Sequence, residues 1–176
     1  MKKCCAFLRG VNVNGTSIKM KNVCDVFSNS GMKNVQILLA SGNILFEFEN
    51  NAEALKTILE KSMSEAFSYK AFLFVRSLEE IEAIAENMPF KTKEDFHNYV
   101  FISDKERSAE LLTFFENAKN KEQESAKIVK DVFYWQTPKG NTLQSDFGKI
   151  LGKKSLKDKL TSRNFNTIEK IITKLK

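Results

Sequence analysis

The first 76 residues change hydrophobic periodicity several times, and the order of those changes constrains the fold more tightly than any single motif. The run CCAFL, residues 4–8, is short and apolar at every position, which reads as a central strand covered on both faces. From Met20 the apolar residues Met20, Val23, Cys24 and Phe27 recur at helical spacing, and Gly31 supplies a left-handed stop. Val35, Ile37 and Leu39 then alternate, ASGN makes a turn, and Ile44, Phe46 and Phe48 alternate on the way back, with Glu47 and Glu49 on the other face. A helical pattern from about residue 52 to 67 (Leu55, Ile58, Leu59, Met63, Phe67) leads into a further strand, AFLFV. The order β-α-β-β-α-β is the ferredoxin-like plan.

After Arg76 the pattern partly repeats. SLEEIEAIAENM reads as a linking helix with its acids on a solvated face and Pro89 as its stop. A strand follows at 99–102, then a helix over about 107–118 carrying Leu111, Leu112 and Phe115, then a hairpin over 128–135 around Lys130 and Asp131. TPKGN is a turn, 143–151 a short helix, and the stretch from about 164 a final helix with Phe165, Ile168, Ile171, Ile172 and Leu175 inward. This half reads β-α-β-β-α-α. The expectation is therefore an α+β protein of two packed ferredoxin-like (βαββαβ-type) lobes with antiparallel sheets. The first spans 1–76; the second, 77–176, is an α/β lobe ending in a basic C-terminal helix.

Charge narrows the partners. Of the net +6, residues 139–176 carry ten Lys or Arg against three Asp or Glu, which leaves the remainder near neutral. Outside that tail, Lys2, Lys3, Arg9, Lys19 and Lys21 precede Asp25 with no acid among them. Such ends attract nucleic acid or phosphorylated small molecules, although lysine-rich surfaces also serve solubility. No apolar run approaches the roughly 18 residues of a membrane span, and 4–8 is too short for a signal peptide, so the expected location is the cytoplasm with no membrane partner. Cys4, Cys5 and Cys24 lack the spacing of a zinc site and read as packed thiols, while a single histidine, His97, builds neither a multi-histidine metal centre nor an acyl-transfer triad. No metal or cofactor is expected, and a monomer is favoured.

Two polar stretches stand out as candidate sites. GVNVNGTS places Gly10 and Gly15 at phosphate-loop separation between a strand and a helix, but Thr16 stands where such a loop needs its lysine, which argues against an NTPase. A looser anion-binding loop flanked by Arg9 and Lys19 fits better. With strand order 4-1-3-2, the end of the first strand meets the turn between the second and third, bringing Arg9, Asn12, Ser41 and Asn43 to one rim. The alternative is that Gly42 and Asn43 merely make the turn. The second stretch, TSRNFNT, crowds polar groups at a helix start: Thr161, Ser162, Asn164 or Asn166 suits a cap, and Arg163 suits a carboxylate or phosphate. The sharper expectation turns Arg163 toward the rim of Arg9; the blander one gives it a structural partner.

The segments FLRGVNVNG with IKM, LASGNILFE, MPF, YWQTPKGNTLQSDFGK and TSRNFNTIEKI together resemble the bacterial domain-of-unknown-function 1697 family along essentially the whole chain. Asn14, Ala40 and Phe165 depart from the family's usual Gly, Gln and Trp. The resemblance implies an α/β protein with ferredoxin-like halves and no assigned activity. The functional expectation is binding of an anion, as a phosphate ligand or nucleic acid, through a basic polar site. A small metal-independent enzyme acting on a phosphorylated metabolite and a protein-interaction module are the alternatives.

Overall fold

The structure is a computed structural model that describes residues 1–11, 18–49, 52–103 and 105–176. It divides into two compact units, Met1–Ile81 with Ile171–Lys176, and Glu82–Lys170. The first contains β1 (Lys2–Arg9), α1 (Met20–Asn29), β2 (Lys33–Leu38), β3 (Asn43–Phe48), α2 (Ala52–Phe67) and β4 (Phe72–Ser77). Its sheet is antiparallel in the order β2-β3-β1-β4. Cys4, Ala6 and Leu8 of β1 share a core with Ile44 and Phe46 of β3 and with Val23, Phe27, Leu55, Leu59 and Met63 of the two helices. Cys5, Phe7, Leu45 and Phe74, on the opposite sheet face, are buried as well. That is why residues 4–8 carry no polar interruption.

Local chemistry sets the ends of these elements. Gly31, at φ 90°, takes the left-handed turn after α1, which a side chain would strain. The next helix, α3 (Leu78–Glu86), opens with a capping box: the Ser77 N–H donates to the Glu80 carboxylate at 2.7 Å, and the Glu80 N–H donates to the Ser77 hydroxyl at 3.3 Å.

The second unit holds β5 (Phe96–Ser103), α4 (Lys105–Asn117), β6 (Ser125–Val129), β7 (Val132–Pro138) and β8 (Leu160–Asn164), and α5 (Phe165–Leu175) begins in it. Its sheet order, β6-β7-β5-β8, matches that of the first unit. Lys130 and Asp131, at φ 47° and 64°, form the two-residue turn between β6 and β7. Two readings of the sequence are corrected. Residues 160–164 are a strand rather than the approach to a helix, and within 143–151 the chain runs through turns into a 3-10 helix, Gly148–Gly152, followed by another at Lys154–Leu156. The second unit is thus β-α-β-β-β, with 3-10 turns where a second helix would stand.

Its core centres on Trp135, which stacks on Tyr99 at 5.4 Å and meets Phe147 edge-on at 5.1 Å. The indole N–H donates to the Glu124 carboxylate at 2.8 Å, and that carboxylate also accepts from Ser145 and Asn141. Three donors offset much of the cost of burying it. Behind the indole the chain passes so close that a Cβ on Gly148 would lie 1.7 Å from the Thr142 carbonyl oxygen, so this position tolerates only glycine.

Candidate functional site

At one end of the first sheet, antiparallel pairing brings together the end of β1, the start of β3 and the start of β4. Phe7 lies opposite Asn43, and the Leu8 N–H donates to the Gly42 carbonyl at 2.7 Å. On its other side Arg9 lies opposite Phe72. Directly opposed residues share a sheet face with Cβ atoms about 5 Å apart, so Arg9 and Phe72 are neighbours. The Lys70 ammonium sits over the Phe72 ring, 5.2 Å from its centre. A half-buried cation, Arg9, thus lies opposite Phe72 across the strands, and an exposed one, Lys70, covers its ring.

The β2–β3 turn completes the rim. Asn43 is fully buried, and its amide donates to the Leu38 carbonyl at 3.1 Å and to the Ser41 hydroxyl at 2.9 Å. Asn43 thus fixes the turn and orients Ser41, which is exposed and keeps its own hydroxyl proton to donate. Gly42, at φ 77°, has room for no more: an added Cβ would lie 3.1 Å from that of Leu8. Gly10, at φ 76°, turns the chain out of β1. Burial pulls the Arg9 guanidinium below its usual range because its charge is partly stripped of water, which strengthens its attraction for an anion.

Of the other residues singled out from the sequence, Lys19 is exposed at the entry to α1, where its carbonyl accepts the N–H groups of Asn22 and Val23. Asn12 falls in 12–17, outside the described residues, as do Asn14, Gly15 and Thr16 of the glycine-containing loop. Arg163, Asn164 and Asn166 lie at the β8–α5 junction of the second unit. Arg163 is buried opposite Val100 and donates to the Thr161 hydroxyl and the Ser162 carbonyl, both at 2.8 Å. Asn164 caps α5 by accepting the Asn166 N–H at 3.0 Å, and its amide nitrogen contacts the His97 ring Nδ1 at 3.0 Å. The Asn166 side chain is exposed.

Lys70 escaped the sequence reading, which weighed only glycine-rich and asparagine-rich stretches. The topology puts the start of β4 beside the end of β1, but only the position of the Lys70 side chain over Phe72 brings that lysine to the rim.

Fold and rim together define an α+β protein of two ferredoxin-like units. The chain belongs to the family described as protein of unknown function (DUF1697), whose model matches residues 1–134. Among solved structures it is similar to the conserved bacterial protein SP0830 from Streptococcus pneumoniae, with a TM-score of 0.80 and 23% sequence identity over 99% of each chain. At that identity the likeness is one of fold. No curated protein matches the chain. Among the described residues, no helix is long and apolar enough to cross a membrane.

Proposed function

We propose that the chain binds a small phosphate-bearing ligand at the rim of its first sheet, through Arg9, Lys70 and the Ser41 hydroxyl. The observation that carries this reading is that Arg9 lies opposite Phe72, whose ring Lys70 covers, beside a turn that Asn43 fixes and that leaves the Ser41 hydroxyl exposed. Arg9 offers a planar fork of donors, Lys70 a mobile point charge, and Ser41 a neutral donor, a set suited to an oxyanion. These groups supply attraction and orientation, which is binding chemistry.

A small ligand is favoured over an RNA strand laid across the sheet. Ferredoxin-like RNA binders stack bases on exposed aromatics of the central strands. Here Phe7 and Phe46 are 0% and 1% exposed, and Phe48 packs against the core.

The test is thermal unfolding with inorganic phosphate, in the wild type and in Arg9→Ala and Lys70→Ala variants. A site filled at 100 times its Kd stabilises by about 2.7 kcal/mol, or roughly 5–10 °C in Tm for a chain of this size. Both variants should stay folded and lose most of that shift. An equal shift in all three proteins would reject the site.

A further inference from the structure

The segment 147–160, FGKILGKKSLKDKL, does two things at once. Its apolar residues Phe147, Ile150, Leu151, Leu156 and Leu160 all join the core of the second unit, through the 3-10 helices Gly148–Gly152 and Lys154–Leu156. Its five lysines, at 149, 153, 154, 157 and 159, are left to the outside, with Asp158 the one acid between Gly148 and Leu160. Lys149, Lys153 and Lys154 are exposed, and Lys157 and Lys159 half-buried. Lys149 is paired with Asp146 at 2.8 Å, and Lys153 rests over the Phe114 ring, 4.7 Å from its centre. Among the described residues no carboxylate forms an ion pair with Lys153, Lys154, Lys157 or Lys159.

We infer that this lysine ridge is a contact surface for the phosphate backbone of a nucleic acid, read without regard to base sequence. Charge complementarity carries the choice of partner, since four cations without carboxylate partners in one short segment match a polyanion. A membrane is a poorer fit, because an interfacial segment must insert an apolar face, and here that face is already buried in the protein's own core. A protein partner is poorer too. Protein interfaces are depleted in lysine and anchored by aromatic or other large side chains, and no large apolar side chain between 148 and 159 is exposed. The ridge lies in the second unit and is independent of the phosphate-ligand reading for the first.

The inference is tested by fluorescence anisotropy with labelled single-stranded RNA and duplex DNA of mixed sequence, over a range of salt concentrations. Wild-type protein should bind both in low salt. With four lysine contacts the logarithm of affinity should fall against that of salt with a slope of about −3 on the single strand. Replacing Lys153, Lys154 and Lys157 together by Glu should weaken binding about tenfold or more, and replacing them by Gln should weaken it less and flatten the salt slope. Circular dichroism checks that both variants fold, and the Gln variant serves if the Glu variant does not. Lys61→Gln, at an exposed lysine of α2 paired with Glu65, should bind nucleic acid as the wild type does, which shows that the loss belongs to the ridge rather than to net charge. No binding in low salt, binding untouched by the triple replacement, or binding to anionic vesicles in place of nucleic acid would each overturn the inference.

Discussion

Tyr134 shows what burial does at the scale of one residue. Its side chain is inaccessible to water, its hydroxyl donates to the Ile84 carbonyl at 2.8 Å, and burial pushes the phenol up to about 12. The folded state therefore holds this proton more tightly than the unfolded chain, where a tyrosine titrates near 10. The stabilisation is fully present below pH 10 and is lost as pH climbs toward 12, up to about 2–3 kcal/mol. Cys4, raised to about 11 chiefly by burial and further by Glu80 and Glu79, acts in the same direction from a lower starting pH. Urea unfolding from pH 8 to 11.5 should show stability declining above about pH 9. Tyr134→Phe should cost roughly 0.5–1.5 kcal/mol at neutral pH but decline less steeply above pH 10. A variant whose stability fell in parallel with the wild type there would contradict this account. Contacts of this kind are hard to read from a sequence: Glu124 sits in the polar run NKEQES, which looks like a solvated loop, and nothing local announces that a distant indole and hydroxyl will meet it.

At the scale of elements, legibility followed the kind of residue that faces inward. Where buried positions are apolar, their spacing reveals the element, and β1, α1, α2 and the β6–β7 hairpin were all readable for that reason. β8 was not. Its positions after Leu160 are Thr161, Ser162, Arg163 and Asn164, and two of its buried side chains, Thr161 and Arg163, are polar and hydrogen-bonded to each other. A search for hydrophobic alternation passes over such a strand. The crowding of polar groups before α5 has the same origin: Thr161 and Arg163 serve the strand, and Asn164 serves the helix. Asn164→Ala should remove both the cap and the His97 contact, costing about 1–2 kcal/mol in denaturant unfolding, whereas Asn164→Ser, which keeps a capping oxygen, should cost less. Equal losses in the two variants would show that the cap contributes nothing.

At the scale of the whole molecule, the two sheets share one strand order although their sequences show no evident repeat, because order depends on the succession of elements rather than on residue identity. Topology of this kind also made the rim foreseeable: with the strand order in hand, the meeting of Arg9 with the Ser41–Asn43 turn followed, while the contribution of Lys70 needed the observed position of its side chain over Phe72. The net charge of +6 draws anions to the molecule in general, so a mere salt effect cannot distinguish a site from a basic surface. The central claim is local, that a phosphate group is held by Arg9 and Lys70 beside the Ser41 turn. Titrating inorganic phosphate into isotopically labelled protein at constant ionic strength, and following the Arg9 side-chain Nε–H together with the Leu8 and Gly42 amides by NMR, tests it most directly. The account predicts saturable shifts at these groups with one common Kd, abolished in Lys70→Ala or weakened at least tenfold. Small, non-saturating shifts spread over the surface lysines, with the Arg9 resonance unmoved, would contradict it.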